Sequence, residues 1–275
     1  MELHEIVWTI VQEFPYALLG SILVGTLCAF LGVTIVAKRV VFLGAVLTQV
    51  SVFGLALTFL PFLDMPHTVG SLTVTVIAVA LLSRVLTGRK VPRDAVLGMV
   101  FVGAIALRIL VVQKTPKVEA SEIENLLRGD ILFVTPELFY LMLGVFIIVL
   151  TVQLLFFKEF SYIGFDAETA GTQGFRAQFW EMLFYVIAAV VISVATHMVG
   201  DVFVFGFLVI PPVAAMLITR SVRGIFLISV LIGLIVPGVG LVVAFLGDFP
   251  ASPAIVAVAL VILGAAWLSA RVRGH

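Results

Sequence analysis

The chain alternates between long apolar stretches and short polar interruptions. Nine of the apolar stretches approach the roughly 20 residues that a membrane-spanning helix needs, and charged residues, glycine or proline bound each of them. They lie at residues 15–37, 42–62, 70–86, 95–112, 138–157, 179–197, 202–219, 224–246 and 253–270. The seventh contains Pro211 and Pro212, which lack backbone donors, so we expect it to be broken or to span only part of the membrane. The pattern predicts an all-α polytopic membrane protein with about eight or nine transmembrane helices.

The composition supports a membrane protein and excludes several other classes of protein and site. The chain is 62% hydrophobic and 12% charged, whereas an ordinary soluble domain is about 25% charged. Sixteen basic residues balance sixteen acidic ones, so there is no net charge to recruit nucleic acid. The single cysteine, Cys28, excludes a disulfide framework and a cysteine-based zinc site. The sequence has no GxxxxGK[ST], HExxH or GxSxG motif, so it has no P-loop and nothing supports an enzyme.

Basic residues are distributed unequally between two alternating sets of loops. One set holds twelve of them: Lys38, Arg39, Arg84, Arg89, Lys90, Arg93, Lys158, Arg176, Arg220, Arg223, Arg271 and Arg273. The other set holds only Lys114, Lys117 and Arg128. Because cytoplasmic loops carry an excess of lysine and arginine, we predict that the C-terminus is cytoplasmic. With nine spans, the N-terminus is then outside.

The inner connection between residues 158 and 178 is longer than a turn requires. It contains the sequence FDAETAGTQGF, in which Asp166 is suited to cap a short helix over 169–172 and Gly174 to end it. A polar helix on the cytoplasmic face would offer a docking surface to a soluble partner. The alternative is an amphipathic turn that rests on lipid headgroups.

Polar side chains inside a span are candidates for function because lipid makes them costly. Thr48, Gln49 and Ser51 form such a patch in the second span. The alternative is that they hydrogen-bond to neighbouring helices, as small polar residues in bundles do. Arg108 lies one turn from the outer end of its span, so we expect its side chain to reach the headgroups and to form no site.

Two pairs of histidine and aspartate are candidate metal ligands. His197 and Asp201 are four residues apart and share a face if the helix continues through Gly200. Imidazole and carboxylate together suit a divalent transition metal. Asp64 and His67 form a second pair in an outer loop. The alternative for both pairs is that they are ordinary polar residues at a hydrated helix end or loop.

Six ordered segments resemble a known family. They are LGVTIVAKRVVFLGAVLTQVSVFGLAL near the start, DAVLGMVFVGAIAL at 94–107, RGDILFVTPEL at 128–138, FDAETAGTQGF at 165–175, FGFLVIPPVAAMLITRS at 205–221 and GDFPASPAIV at 247–256. Their order and polar residues resemble the ABC-3 family, the membrane permease subunits of bacterial and archaeal ABC transporters for zinc, manganese and iron. The resemblance covers most of the chain, from about residue 18 to residue 266.

The resemblance implies a single transmembrane permease domain over residues 1–275 in the inner (plasma) membrane, as one half of a homodimeric or paired channel. Its implied partners are a cytoplasmic ABC ATPase, an extracytoplasmic substrate-binding protein and a second permease copy. The chain itself would bind no cofactor, since ATP and Mg²⁺ would belong to the ATPase, and a divalent metal would be the substrate. The implied coupling segment lies at about residues 160–178, with Phe165, Asp166, Glu168 and Gly174.

The chain departs from the family in the second span. Where members commonly read GDALSHA, this chain reads GAVLTQV at 44–50, so Ala45 and Gln49 replace an aspartate and a histidine. Alanine offers no ligand, and a neutral amide is a poor ligand for a transition metal. The resemblance still implies a translocation path lined by Ala45, Thr48 and Gln49 between two copies.

Three accounts of this departure are open. In the first, metal passes with transient contacts at Thr48 and Gln49 while the external binding protein sets selectivity. In the second, the ligands have moved to His197 and Asp201. In the third, the cargo is a metal chelate or another small solute. A membrane enzyme or a non-transporting scaffold is the alternative from a different class.

Overall fold

A computed structural model of the chain describes residues 3–60, 65–86, 92–115, 131, 134–165 and 177–272. These residues form eleven α-helices and no β-strand. The helices are α1 (Leu3–Glu13), α2 (Pro15–Ala37), α3 (Phe42–Leu57), α4 (His67–Leu86), α5 (Arg93–Val112), α6 (Pro136–Leu155), α7 (Phe157–Phe165), α8 (Ala177–Val199), α9 (Asp201–Ile218), α10 (Val222–Gly247) and α11 (Ala251–Val272).

The all-α membrane fold predicted from the apolar pattern is confirmed. Each of the nine predicted stretches overlaps one helix over most of its length, and seven helices of the described residues are long and apolar enough to cross a membrane. Helix α3 is a shorter apolar helix, and in α4 the apolar part runs from His67 to Ser83. At 16 residues, α3 is about 24 Å long, somewhat less than the roughly 30 Å hydrocarbon core of a bilayer.

Helix α2 lies at the centre of the bundle and packs mainly against α10 and α9. It approaches α10 closely because glycines face each other: a Cβ on Gly25 would lie 2.7 Å from the Gly233 carbonyl oxygen. The buried Ser229 hydroxyl of α10 donates to the Ala29 carbonyl of α2 at 2.8 Å. By contrast, only 17% of the apolar window of α5 and 22% of that of α6 are buried in this chain. Apolar faces of this kind suit contact with lipid or with another subunit.

The expectation of a broken seventh span is wrong, because α9 runs without interruption from Asp201 to Ile218 and contains both prolines. Proline at 212 leaves the Leu208 carbonyl without its usual helical donor. Gly32 of α2 packs against that carbonyl so closely that a Cβ on Gly32 would clash with it. A neighbouring helix therefore covers the freed backbone group, so the gap in the hydrogen-bond ladder is buried in protein and not exposed to lipid.

A chain of serine hydroxyls joins α3, α4 and α8 inside the bundle. Ser51 and Ser71 are 2.8 Å apart, and Ser71 and Ser193 are also 2.8 Å apart. All three side chains are buried. For Ser51, the structure therefore supports the alternative of a hydrogen bond between helices.

Candidate translocation site

A groove with a volume of about 450 Å³ opens between α3 and α9, with further walls from α5 and α11. This volume lies in the range of small-molecule sites. Most of its lining is apolar, including Phe42 of α3, Phe101 of α5 and Phe205 of α9. The polar side chains among its described lining residues are Thr48, Gln49 and Asp201. The groove thus combines an apolar wall with a small polar patch.

The polar patch is organised around Gln49, whose amide lies between two opposite charges. Its Nε2 donates a hydrogen bond to Asp201 Oδ2 at 2.9 Å. Its Oε1 accepts a hydrogen bond from Arg108 Nη1 at 3.2 Å. We refer to Arg108, Gln49 and Asp201 as the Gln49 bridge. All three side chains are half-buried, and Gln49 and Asp201 line the groove, so the amide and the carboxylate are reachable from it.

The three residues predicted to line the path lie together in the groove wall. Ala45 and Gln49 are one turn apart on α3, with Thr48 beside them. The Thr48 hydroxyl donates to the Ala45 carbonyl at 2.8 Å and is buried, so it is engaged within its own helix. Gln49 is therefore the residue of the three whose polar atoms face other elements. Their role in transport stays a prediction.

His197 and Asp201 do not share one helix. Helix α8 ends at Val199, Gly200 has a φ of 83°, and α9 begins at Asp201. The positive φ breaks the helix, so the condition for a shared face is not met. The Asp201 carboxylate bonds to Gln49, whereas His197 Nδ1 pairs with the Ser193 carbonyl at 2.9 Å.

No hydrogen bond or ion pair joins His197 and Asp201 within the described part of the chain. His197 Nε2 is buried there without a hydrogen-bond partner. In the described segments, no three histidine, cysteine, aspartate or glutamate side chains are grouped to hold a metal ion. A metal contact at His197 and Asp201 stays a prediction, although the continuous helix through Gly200 that it assumed is absent.

The second predicted pair is half outside the described residues, because Asp64 falls between residues 60 and 65. His67 begins α4, and its Nδ1 pairs with Thr58 Oγ1 at 2.7 Å. Its ring stacks on Phe59 with centroids 4.3 Å apart. These contacts give His67 a structural role where the chain turns from α3 into α4.

Sequence reasoning missed Arg108. Its side chain does not reach for headgroups, as we expected, but bonds to Gln49. Helical side chains lean toward the start of their helix, which carries the Arg108 guanidinium away from the end of α5 and toward the groove. The signal available in the sequence was a charge placed within an apolar span.

A second charged cluster lies just before the start of α3, where α2, α7 and α8 meet. Lys38 Nζ forms an ion pair with Glu181 Oε1 at 2.7 Å and lies 3.5 Å from the Ile163 carbonyl oxygen, to which it donates. The Tyr185 hydroxyl donates to the same Glu181 oxygen at 2.9 Å. We refer to Lys38, Glu181 and Tyr185 as the Lys38 cluster. It ties α2 to α8 and to the end of α7.

The Lys38 cluster lies beside the predicted coupling segment. Phe165 is the last residue of α7 and is 38% exposed. Asp166, Glu168 and Gly174 lie outside the described residues. The described chain resumes at Ala177, where α8 begins.

The family model of the ABC 3 transport family matches residues 11–269. A protein of Haemophilus influenzae, named "Probable iron transport system membrane protein", is 27% identical over 244 residues, which cover 87% of this chain and 85% of that protein. The "Manganese import system permease protein ScaB" of Streptococcus gordonii is 24% identical over 240 residues, covering 87% of this chain and 85% of its own.

The fold is also similar to a solved structure. A chain of "PsaBC from Streptococcus pneumoniae in complex with Fab" aligns with a TM-score of 0.84 and 22% sequence identity. The alignment covers 96% of this chain and 95% of that one. The likeness therefore extends over the whole helical bundle and not only over its most apolar helices.

Proposed function

Because this chain belongs to the ABC 3 transport family, we propose that it is the membrane permease of an ATP-driven importer for a divalent transition metal. The observation that carries the proposal is the family match over residues 11–269. The names of the relatives, which mention iron and manganese, support zinc, manganese or iron as the cargo class. The groove between α3 and α9 supplies the candidate path.

In this proposal the energy comes from a partner. The sequence has no P-loop, so ATP and Mg²⁺ are bound by a separate cytoplasmic ABC ATPase. An extracytoplasmic binding protein delivers the cargo, and this chain holds no cofactor of its own. A second permease copy faces the groove and completes the path. The exposed apolar side chains of the bundle are consistent with lipid and a second copy as its surroundings.

The distribution of basic residues supports a position in the inner (plasma) membrane with the C-terminus in the cytoplasm. In that orientation the Lys38 cluster lies near the cytoplasmic face. The Gln49 bridge lies nearer the outer end, since Arg108 is four residues before the end of α5 at Val112. Cargo would meet the Gln49 bridge before it reaches the inner end of the groove.

We propose that nucleotide-driven motion of the ATPase enters through Phe165, Asp166, Glu168 and Gly174. A permease with Glu168→Arg and Gly174→Pro is expected to insert normally but to lose ATP-driven uptake, because the charge reversal and the proline alter the contact segment. The measurements are the amount of membrane-inserted permease, copurification of the ATPase, and metal uptake. Unchanged ATPase binding and unchanged uptake would refute this coupling role.

The function is tested by whole-cell metal content for manganese, iron, cobalt, nickel, copper and zinc. Cells express the permease with its neighbouring ATPase and binding protein, and the control carries an inactivated ATPase. Selective accumulation of one metal that depends on the ATPase is the expected result. No accumulation by an assembled complex that hydrolyses ATP would contradict metal import and point to a chelate or another small solute.

A further inference from the structure

The contacts of the Gln49 bridge suggest how the path handles a cation, an inference that rests on the proposed function and adds to it. We propose that Arg108 is the internal counter-cation of the translocation path. Through Gln49 it offsets the charge of Asp201, so that a divalent cation is received at the groove but not retained there. Arg108 thereby sets how long a cation stays at the groove.

The orientation of the Gln49 amide follows from its two neighbours. Arg108 offers only donors and ionised Asp201 offers only acceptors. The amide oxygen must therefore face Arg108 and the amide nitrogen must face Asp201, as the distances of 3.2 Å and 2.9 Å describe. The reversed amide would set donor against donor and oxygen against oxygen. The Gln49 amide thus has one orientation, with its oxygen toward the cation and its nitrogen toward the anion.

The bridge is electrically neutral as a whole. Asp201 is the carboxylate among the described residues that line the groove, and the described contacts give neither Asp201 nor Arg108 a direct ion-pair partner. The two charges are one amide apart, which is within the Debye length of about 10 Å at 0.1 M salt. The positive charge of Arg108 therefore acts on any cation that approaches the Asp201 carboxylate.

The oxygen atoms of the bridge are the ligands that a cation would use. Carboxylate oxygens, and amide oxygens more weakly, bind hard divalent cations such as Mn²⁺, and Asp201 and Gln49 supply one of each. The Gln49 oxygen already accepts a bond from Arg108, so a cation that binds its second lone pair lies beside the guanidinium and is repelled by it. Conduction requires binding that is strong enough for entry yet weak enough for exit. Repulsion by Arg108 keeps the binding weak.

The test is the equilibrium affinity of the purified complex of permease and ATPase for Mn²⁺, with Zn²⁺ in parallel. Because Arg108 acts through its charge, the change in affinity should have the same direction for both ions. Arg108→Gln is expected to bind either ion about tenfold more tightly than the wild type. The double variant Arg108→Gln with Asp201→Asn is expected to lose that gain. Arg108→Lys, which keeps the charge, is expected to stay within about threefold of the wild type.

The matched control is Arg271→Gln. Arg271 stacks on the Trp267 ring at 4.5 Å near the end of α11, and it does not contact the bridge. The control therefore removes one positive charge from the complex without altering the groove, and its affinity should equal that of the wild type. Should Arg108→Gln not be recovered as an assembled complex, Arg108→Met supplies an uncharged side chain suited to membrane depth.

Unchanged or weaker metal binding in an assembled Arg108→Gln or Arg108→Met complex would overturn the inference. Weaker binding would mean that Arg108 holds the Gln49 amide and the Asp201 carboxylate in the geometry that a cation needs, instead of opposing the cation. Failure of metal import itself is a separate result, because it is read from the wild type in cells. A wild type that imports metal while the Arg108 variants retain it no better would leave the proposed function intact and remove only Arg108's role.

Discussion

The Gln49 bridge and the Lys38 cluster each combine one cation with one carboxylate in apolar surroundings, but they connect the charges differently. In the Lys38 cluster, nitrogen and oxygen are in direct contact at 2.7 Å, and the Lys38 side chain is only 9% exposed. In the Gln49 bridge, a neutral amide separates the charges, and all three residues are half-buried beside a groove.

This difference separates a structural contact from one suited to exchange. Removing one partner of a buried ion pair leaves a buried charge and is strongly destabilising, so the Lys38 cluster resists separation. Each end of the Gln49 bridge is a single hydrogen bond that an incoming ion can replace. The first arrangement suits the junction of α2, α7 and α8 beside the predicted coupling segment. The second suits a path through which cargo moves.

The largest change in stability is expected for Lys38→Met, which would leave the Glu181 carboxylate without its cation. Loss of one partner of a fully buried pair costs about 3–5 kcal/mol. Because the Glu181 side chain is 28% exposed, we expect about 2 kcal/mol here. That corresponds to a Tm lower by about 4–8 °C, measured by thermal unfolding of the protein in detergent.

Lys158→Met is the matched control, because Lys158 is exposed on α7 and should change stability by less than about 0.5 kcal/mol. The double variant Lys38→Met with Glu181→Met should recover most of the loss, since it removes both charges. A Lys38→Met protein as stable as the wild type would show that the direct ion pair does not hold the junction.

An intermediate effect, on transport and not on stability, is expected for Gln49→Leu. The variant removes the amide oxygen and the link between Arg108 and Asp201. Loss of one ligand worth about 1.4 kcal/mol weakens the affinity for the cation about tenfold, so we expect uptake to fall when the metal concentration is below saturation. Uptake is measured in cells at equal permease levels.

Gln153→Leu is the control for Gln49→Leu. Gln153 is buried in α6, and its Nε2 has no hydrogen-bond partner among the described residues. The same substitution there should leave uptake unchanged. Equal uptake by Gln49→Leu and the wild type would exclude Gln49 as a contact of the cargo.

The smallest effect is expected for the neutral serine chain. Ser71→Ala removes the middle hydroxyl between Ser51 and Ser193, which should cost about 1 kcal/mol and leave uptake unchanged. Ser269→Ala is the control, since the Ser269 hydroxyl bonds only to Ala266 within its own helix. A loss of uptake in Ser71→Ala at normal stability would extend the functional region to the serine chain.

The sequence predicted the helices because hydrophobicity over about 20 residues is a local property. It did not predict α1, whose 11 residues are too few to span a membrane. It also misjudged α9, because Pro211 and Pro212 argue against a continuous helix when read locally. Gly32, more than 170 positions earlier in the chain, covers the Leu208 carbonyl that Pro212 leaves free, and a local sequence pattern does not include that contact.

The candidate site shows the same limit. Gln49 was identifiable as a polar residue inside a span, and Asp201 as a charge at a helix boundary. Their contact joins residues 152 positions apart, and the Arg108 contact spans 59. Such pairs depend on how helices pack. The sequence therefore identified Gln49 and Asp201 as polar residues but did not predict the hydrogen bonds that join them. The continuous helix that would place Asp201 on one face with His197 does not form, because Gly200 takes a positive φ.

The most direct test of the proposed path is ATP-dependent uptake of Mn²⁺ and Zn²⁺ into liposomes that contain the reconstituted complex. Asp201→Asn is compared with Asp248→Asn, which alters an exposed aspartate in a left-handed conformation that asparagine also tolerates. The account predicts that Asp201→Asn lowers uptake at least about tenfold while Asp248→Asn matches the wild type. Equal uptake by assembled Asp201→Asn and wild-type complexes would contradict a cation path through the groove between α3 and α9.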